Sequence, residues 1–198
     1  YLPGNADVGG IKFSYPQEDI FIRSYQPVVN GHTGQIKKAI QMLAAAKRPL
    51  VYFGGGVVLG NAAQELTEFV QLTGVPCTGT LMGLGAYPSS NRQFLGMLGM
   101  HGNYAPNVKE QECDVLIAIG MRFSDRVTGL PSTYAKQAKI IHLDIDKAEI
   151  DKNIKTDVAV IADCKESLPA ITKLLKKNEH RAWRDSFKPL FDIENEKV

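Results

Sequence analysis

The chain has 198 residues, of which 44% are hydrophobic and 22% charged, an ordinary globular composition that fits one domain with tails. The net charge of +2, without a basic stripe interleaved with aromatic residues, argues against a nucleic-acid-binding protein. No apolar run approaches the roughly 20 residues of a membrane-spanning helix. Three cysteines stand far apart without a CxxC pair, which indicates reduced thiols in a cytoplasmic protein rather than a disulfide framework or zinc site.

The two ends of the chain are predicted to be connections to other domains. Residues 1–31 contain four glycines and three prolines and predict an extended linker from a preceding domain, with Ile20–Tyr25 as a short strand or a segment laid against the body. Because the chain begins with Tyr1, we expect it to be part of a longer protein. Residues 178–198 are charged and predict a helical tail toward a following domain, which leaves 32–177 as the central domain.

The first predicted helix covers Gln35–Ala46. Thr33 or Gly34 is expected to cap it. Lys47 and Arg48 are expected in its last turn, where positive charge suits the helix dipole, and Pro49 is expected to stop it. Its apolar side chains share one face: Ile36, Ala39, Ile40, Leu43 and Ala44.

A glycine turn follows the next strand. Leu50–Phe53 is a continuous apolar run, typical of a strand covered on both faces. Gly54–Gly56 follow, and a helical pattern opens at Asn61. A turn of this kind suits a pyrophosphate, but the third glycine of the dinucleotide fingerprint falls one residue late, at Gly60. Nucleotide binding and a tight packing turn both remain open on this stretch alone.

The rest of the body alternates between strands and helices. This alternation predicts a parallel α/β sheet flanked by helices, with ligands at the carboxyl ends of the strands. Predicted helices cover Ala62–Leu72, Tyr104–Gln111 and Ser167–Lys177. Predicted strands cover Val75–Thr80, Asp114–Gly120, Ala138–Ile145 and Val158–Ala162, and Phe94–Leu98 is ambiguous. Predicted loops cover Leu81–Gly85, Gly99–Gly102 and Met121–Gly129.

Few side chains predict chemistry of their own. Asp144 and Asp146 can form a carboxylate pair for acid–base catalysis, but Asp146-Lys147 is more typical of a turn. The four scattered histidines do not predict a metal site, and no catalytic residue is predicted. Without a known relative, the methionines at 82, 97 and 100 are best interpreted as core filler.

Five motifs stand out along the body: FGGG at Phe53–Gly56, TLMGLGAYP at Thr80–Pro88, GMLGMHG at Gly96–Gly102, DVLIAIGMRFSDRVTG at Asp114–Gly129 and HLDIDKAEIDK at His142–Lys152. In order and spacing they resemble the central domain of thiamine-diphosphate-dependent enzymes, and within that family the acetolactate (acetohydroxyacid) synthase branch with its bacterial large catalytic subunits. The resemblance extends over Ser24–Leu175. Ser124 departs from the aspartate that the family has in RFDDR, and this removes one charge beside the family's cofactor.

The resemblance implies a Rossmann-like three-layer domain, of the deoxyhypusine-synthase-like NAD/FAD-binding type, that holds FAD. The full enzyme is expected to decarboxylate pyruvate and condense two 2-oxo acids in branched-chain amino acid biosynthesis. Thiamine diphosphate and magnesium are bound by its other domains. The expected partners are the neighbouring domains of the same subunit, further copies in a homo-oligomer and a small regulatory subunit. The activating glutamate and the Gly-Asp-Gly…Asn metal motif are absent here, so the isolated chain is expected to be inactive.

The same resemblance implies FAD contacts at nineteen positions. Gly54, Gly55 and Gly56 are implied at the diphosphate or ribityl region, and Thr80, Leu81 and Met82 along the groove. The flavin end is implied at Met100, His101 and Gly102. The rim along the cofactor is implied at Gly120, Met121, Arg122, Asp125, Arg126 and Val127, with Arg122 as a phosphate partner. The adenosine end is implied at Asp144, Ile145, Asp163 and Cys164.

Two further hypotheses compete with this one. The chain could be the middle domain of a related thiamine enzyme, either an oxidase with a redox-active flavin or a decarboxylase that binds another adenine nucleotide. It could also be a cofactor-free module for domain docking. The GMLGMHG and RFSDRVTG motifs favour the acetolactate synthase branch over the related thiamine enzymes, and the docking module stays open.

Overall fold

A computed structural model describes residues 27–197, so the predicted linker up to residue 26 and the predicted strand at Ile20–Tyr25 lie outside the described residues. Within residues 27–197, six strands form one all-parallel sheet in the spatial order 3-2-1-4-5-6, which confirms the predicted α/β class. The strands are β1 (Pro49–Phe53), β2 (Cys77–Gly79), β3 (Phe94–Met97), β4 (Val115–Ile119), β5 (Lys139–Asp144) and β6 (Val158–Ile161).

Helices cover both faces of the sheet. None of the helices in the described range has the length and apolar character needed to cross a membrane. Short 3-10 turns occur at Leu81–Gly83 and Lys147–Glu149. The helices are α1 (Thr33–Ala45), α2 (Gly55–Leu59), α3 (Ala63–Thr73), α4 (Tyr104–Glu110), α5 (Asp125–Thr128), α6 (Cys164–Thr172), α7 (Arg181–Asp185) and α8 (Lys188–Lys197).

The central strands separate two apolar cores. Every residue of β1 and β4 is buried, as the continuous apolar runs predict. Alternate side chains point to opposite faces, so Val51 and Phe53 join the core beneath α1, α3 and α6. Leu50 and Tyr52 join the second core, beneath α4, α7 and α8. The result is a three-layer domain.

Helix α1 begins earlier than predicted and has a different cap. His32, rather than Thr33 or Gly34, is the cap, and its Nδ1 accepts a hydrogen bond from the Gly34 N–H at 3.2 Å. The helix ends at Ala45, so the predicted end at Ala46 is one residue late.

The residues after α1 belong to the start of the sheet instead of to the helix. The predictions that Lys47 and Arg48 lie in the last helical turn and that Pro49 stops the helix are wrong. Both backbone N–H groups donate to the Asp114 carboxylate, at 2.8 and 2.9 Å, and Pro49 is the first residue of β1. Asp114 thereby joins the beginnings of β1 and β4. Ala44, predicted on the apolar face, is exposed.

Several other boundaries differ because of local caps. The helix predicted to open at Asn61 is preceded by α2, which begins within the glycine run. Strand β2 is shorter than predicted because the Thr80 hydroxyl accepts from the Gly83 N–H at 3.0 Å and starts a 3-10 turn. The ambiguous segment at Phe94–Leu98 forms β3. The loop predicted at Met121–Gly129 contains α5.

The last helix of the body also starts earlier than predicted. The Asp163 carboxylate accepts a hydrogen bond from the Lys165 N–H at 2.7 Å and caps α6. The helix therefore begins at Cys164, three residues before the predicted start at Ser167. The helix ends at Thr172 instead of Lys177. Leu174, predicted to face inward, is consequently 59% exposed.

The C-terminal segment packs against the second face of the sheet. Trp183 and Phe187 are buried, and the indole Nε1–H donates to the carbonyl of Pro49 at 2.8 Å. The Lys109 ammonium lies 5.2 Å from the centre of the Trp183 ring, within cation–π range. Helices α7 and α8 lie within the predicted tail, and their buried side chains are part of the second core. Their continuation toward a following domain stays a prediction.

The second core also contains a buried acid. Glu110 is buried beside Tyr52 and Tyr134, and its Oε1 and both phenol oxygens have no hydrogen-bond partner within the described residues. Gln111 donates to the other carboxylate oxygen. Removal from water raises the pKa of Glu110 from 4.5 to about 7, against the smaller opposing effect of that hydrogen bond.

We expect Trp183→Ala to lower the free energy of unfolding by about 3–5 kcal/mol, because it opens a cavity and leaves the Pro49 carbonyl without its partner. Urea denaturation measures the change. Leu174→Ala, at an exposed apolar residue of the same C-terminal half, should change stability by less than about 0.5 kcal/mol. Equal losses in the two variants would contradict the packing of the C-terminal helices.

We expect the stability of the wild type to fall as the pH rises from about 4.5 to about 7, because the folded protein holds a proton on Glu110 that the unfolded chain releases. The full effect is about 3 kcal/mol. Glu110→Gln should remove this part of the pH dependence and be more stable than wild type at pH 8. Urea denaturation at pH 5 and 8 compares them. Glu68→Gln, at an exposed glutamate of α3, should keep the wild-type slope.

Candidate functional site

The loops that follow the strands gather at the carboxyl edge of the sheet. Strands β1 and β4 are neighbours in the sheet, but the chain leaves them in opposite directions. It continues from β1 to β2 on one side and from β4 to β5 on the other. A crevice opens at such a reversal of strand order, and it is where open α/β sheets bind ligands. The glycine run after β1 and the loop after β4 form its two walls.

These two loops touch through their backbones. A Cβ atom added to Gly54 would lie 2.4 Å from the Met121 Cβ, and one added to Gly56 would lie 2.7 Å from the Gly120 Cα. Gly120 itself has a φ of +56°. Any larger residue at these positions would force the loops apart, so tight packing accounts for two of the three consecutive glycines.

The backbone hydrogen bonds of Gly54 and Gly56 also hold the two loops together. The Gly54 N–H donates to the Ile119 carbonyl at 2.9 Å, and the Gly56 N–H donates to the Gly120 carbonyl at 2.8 Å. Gly55 is different, because its N–H has no backbone partner within the described residues. The turn therefore offers a phosphate one free amide instead of a full set.

A groove of about 290 Å³ lies between these loops and the ends of β5 and β6. It brings together six of the residues predicted to contact FAD. Leu59 and Gly60 also line it and were missed as site residues. In the sequence, Gly60 is marked only as the displaced third glycine of the dinucleotide fingerprint. Nothing in the sequence marks Leu59, whose side chain is 90% exposed in the fold. The predicted residues in the groove are Gly56, Gly120, Asp144, Ile145, Asp163 and Cys164.

Asp144 is the more buried of the two acidic groups in the groove, since Asp163 is only partly buried and caps α6. The Asp144 Oδ1 accepts from the Asp146 N–H at 2.8 Å, and its Oδ2 lies 3.8 Å from the His142 Nε2. Burial raises the pKa of Asp144 and lowers the pKa of His142. The His142 Nε2 is 2.8 Å from the Met121 carbonyl, and because a carbonyl only accepts hydrogen bonds, Nε2 carries the donated proton. Asp144 can thus accept hydrogen bonds from a ligand hydroxyl.

The predicted alternative role of Asp144 and Asp146 as a catalytic pair finds no support in their contacts. The Asp146 Oδ1 accepts from the Ala148 N–H at 2.9 Å, which is a cap on the following 3-10 turn. Across residues 27–197, no three His, Cys, Asp or Glu side chains come together as metal ligands. The three cysteines are all free and buried.

The remaining predicted residues line the same edge outside the groove. The Met100 N–H donates to the Arg126 carbonyl at 2.9 Å, which joins the loop after β3 to the loop after β4. Met82 lies against Gly55, where an added Cβ would be 3.1 Å from its Cβ. His101 and Arg122 are exposed. The predicted contacts of these positions with FAD stay predictions.

Charges at this edge are mostly solvated. Asp125 and Arg126 form an ion pair of 3.9 Å, and both side chains are highly exposed. Such pairs contribute about 0–1 kcal/mol. No carboxylate in the described range lies within 4 Å of the Arg122 guanidinium, so it is open to an anionic ligand.

Large apolar side chains are exposed along the same edge. Met82 and Met100 are 75% and 64% exposed, so their interpretation as core filler is wrong. Apolar side chains concentrated in one region mark a surface that another molecule covers. The exposed apolar residues in the helix starts, turns and loops that follow the strands are Val58, Leu59, Leu81, Met82, Leu84, Met100, Tyr104, Leu130 and Ile145.

Most of the chain matches a known protein family. The family described as "Thiamine pyrophosphate enzyme, central domain" matches residues 36–171. This range contains all six strands and every residue of the groove.

Several curated relatives have similar sequences. The chain is 43% identical over 176 residues to the acetolactate synthase large subunit of Haemophilus influenzae, covering 87% of this chain and 31% of that protein. It is 44% identical over 175 residues to the acetolactate synthase of Mycobacterium avium, covering 88% and 28%. It is 44% identical over 158 residues to the acetolactate synthase isozyme 3 large subunit of Escherichia coli, covering 80% and 28%. The chain thus spans less than a third of these relatives.

The glycine run gives a test of the site geometry. We expect Gly56→Ala to destabilise the protein by about 1–3 kcal/mol, because the new methyl group would meet the backbone of Gly120. Gly55→Ala is the matched control. Its methyl group would meet the exposed Met82, and alanine favours a helical position, so stability should change by less than about 1 kcal/mol. Urea denaturation measures the free energy of unfolding of both variants. A larger loss in Gly55→Ala than in Gly56→Ala would contradict this geometry.

Proposed function

The chain belongs to the family of thiamine pyrophosphate enzyme central domains, and from this membership we propose that it is the FAD-binding central domain of an acetolactate synthase large subunit. The observation that carries the proposal is the groove at the carboxyl ends of β1, β4, β5 and β6. It combines backbone walls at Gly56 and Gly120 with one desolvated carboxyl group, Asp144.

The groove fits the adenosine half of FAD. Its volume of about 290 Å³ suits one end of an extended dinucleotide, while the rest would continue along the edge. Asp144 would accept hydrogen bonds from ribose hydroxyls, as acids after a strand do in dinucleotide-binding folds. Leu59 and Ile145 would contact the adenine. Asp163 and Cys164 would close the far side.

The loops beside the groove would hold the remainder of the cofactor. The Gly55 N–H and the Arg122 guanidinium are the free donors for the diphosphate, and Arg suits bidentate phosphate contacts. The loops with Thr80–Met82 and Met100–Gly102 would line the ribityl and flavin parts. When bound, FAD would supply a rigid frame between these loops, without net redox chemistry in the main reaction.

The proposed parent enzyme decarboxylates pyruvate and condenses two 2-oxo acids in branched-chain amino acid biosynthesis. Thiamine diphosphate and magnesium would be bound by its other domains. This chain would contribute cofactor binding and no catalytic residue, so it would be inactive by itself. We place the full protein in the cytoplasm.

Docking on other parts of the same enzyme is a second, compatible function. The exposed apolar residues of the carboxyl edge include Leu81, Met82 and Leu130, which lie in loops after different strands. In the full subunit they would be covered by neighbouring domains. Further copies in a homo-oligomer and a small regulatory subunit complete the proposed partners.

FAD titration tests the cofactor proposal. We expect saturable quenching of flavin fluorescence by the chain and a three- to tenfold weaker affinity in Leu59→Ala, which loses an apolar contact in the groove. Val58→Ala is the matched control, because Val58 is the preceding residue of α2 and does not line the groove. Its affinity should equal that of the wild type.

The outcomes separate the competing functions. No saturable binding at millimolar FAD would contradict the cofactor proposal and favour a docking module. Tighter binding of ADP than of FAD would favour an adenine-nucleotide domain. The same preparations, supplied with pyruvate, thiamine diphosphate and magnesium, should form no acetolactate above background.

A further inference from the structure

A second pocket lies at the opposite edge of the sheet and has a strongly basic lining. Its volume is about 390 Å³. It lies where α3 ends at Gly74, just before β2, and where the segment after α6 crosses toward α7. The charged groups that line it are Arg92, Lys177, Glu179, Arg181 and Arg184.

The pocket has a fixed frame. The Asn178 N–H donates to the Leu72 carbonyl at 3.1 Å. A Cβ added to Gly74 would lie 2.4 Å from the Asn178 carbonyl oxygen, so the end of α3 and the crossing segment are in close backbone contact. On the other side, Trp183 is anchored to Pro49. The cationic side chains are therefore attached to a rigid wall of the domain.

The charges in the pocket are unbalanced. Four cationic side chains face one carboxylate, Glu179, which is paired with Arg181. In the part of the chain that the structure describes, Arg92, Lys177 and Arg184 have no carboxylate within 4.0 Å. Like charges repel one another in this arrangement, and an anion between them would relieve the repulsion.

The Arg184 side chain is half-buried at the rim of the pocket. Its Nε is shielded from solvent and has no hydrogen-bond partner within residues 27–197, so this atom does not face the open pocket. An anion in the pocket would meet the terminal Nη groups of the guanidinium instead. Glu179 is the one carboxylate in the lining of this pocket, and a single carboxylate cannot neutralise four cations.

We propose that this pocket binds a small polyanion that carries a diphosphate or oligophosphate group. The guanidinium groups of Arg92, Arg181 and Arg184 offer forked donors that match phosphate oxygens, and Lys177 adds a point charge. The pocket lies at the amino ends of the strands, away from the proposed FAD groove at their carboxyl ends. The proposal therefore stands independently of the cofactor assignment.

Calorimetric titration of the chain with inorganic pyrophosphate tests the proposal. We expect one saturable site whose affinity falls with added salt, as screening of exposed charges requires. The double variant Arg92→Gln/Lys177→Gln should weaken binding at least tenfold. Both side chains are exposed and come from separate segments, so the fold should be retained. Glu179→Gln, which frees Arg181, should bind pyrophosphate more tightly than wild type.

Two matched variants locate the site. Lys136→Gln removes an exposed lysine outside the pocket and should leave the affinity unchanged. Arg122→Gln removes the exposed cation at the other edge that is the alternative partner for pyrophosphate, and it should also leave the affinity unchanged. The proposal is overturned if no saturable binding occurs, if the double variant binds as tightly as wild type, if Lys136→Gln weakens binding as much as the double variant, or if Arg122→Gln alone weakens it. ADP, titrated in the same way, distinguishes a nucleotide from a free oligophosphate as the source of the phosphates.

Discussion

The close contact between the loop after β1 and the loop after β4 is the constraint on which the rest of the carboxyl edge depends. The register of the two strands pairs Phe53 with Ile119, so both loops leave the sheet at the same height. Gly56 and Gly120 then meet backbone to backbone with no room for a Cβ atom. Because this contact holds the two loops in place, the groove beside them has a defined width, and Asp144 has a defined position within it.

The same contact explains why three glycines follow β1. A series of glycines before a short helix suggests a phosphate cradle, but two of the three are required by packing and donate their N–H groups to the neighbouring strand. Only the Gly55 amide is left for a ligand. A cofactor of the proposed kind would draw its other polar contacts from elsewhere along the edge, where the carboxyl group of Asp144 and the exposed guanidinium of Arg122 lie.

The two edges of the sheet differ in chemical character. The carboxyl edge combines a groove, one desolvated acid and many exposed apolar side chains, as suits a cofactor covered by further protein. The amino edge is held by Asp114 and Trp183, which fix the ends of β1 and β4 and the C-terminal helices. A cluster of cationic side chains lies beside this anchored edge. The domain thus has one edge with many exposed apolar side chains and one edge with a cluster of cationic side chains.

The sequence alone determined the parallel α/β class, the buried strands and the convergence of their loops, because these follow from local apolar runs and the rules of chain connection. Tertiary structure decided the rest. That His32 caps α1, that the amides of Lys47 and Arg48 bind Asp114, and that Trp183 is buried depend on partners far away in the chain or on the exact path of the backbone. Periodicity carries no information about such contacts, since distant residues meet only after the sheet has formed.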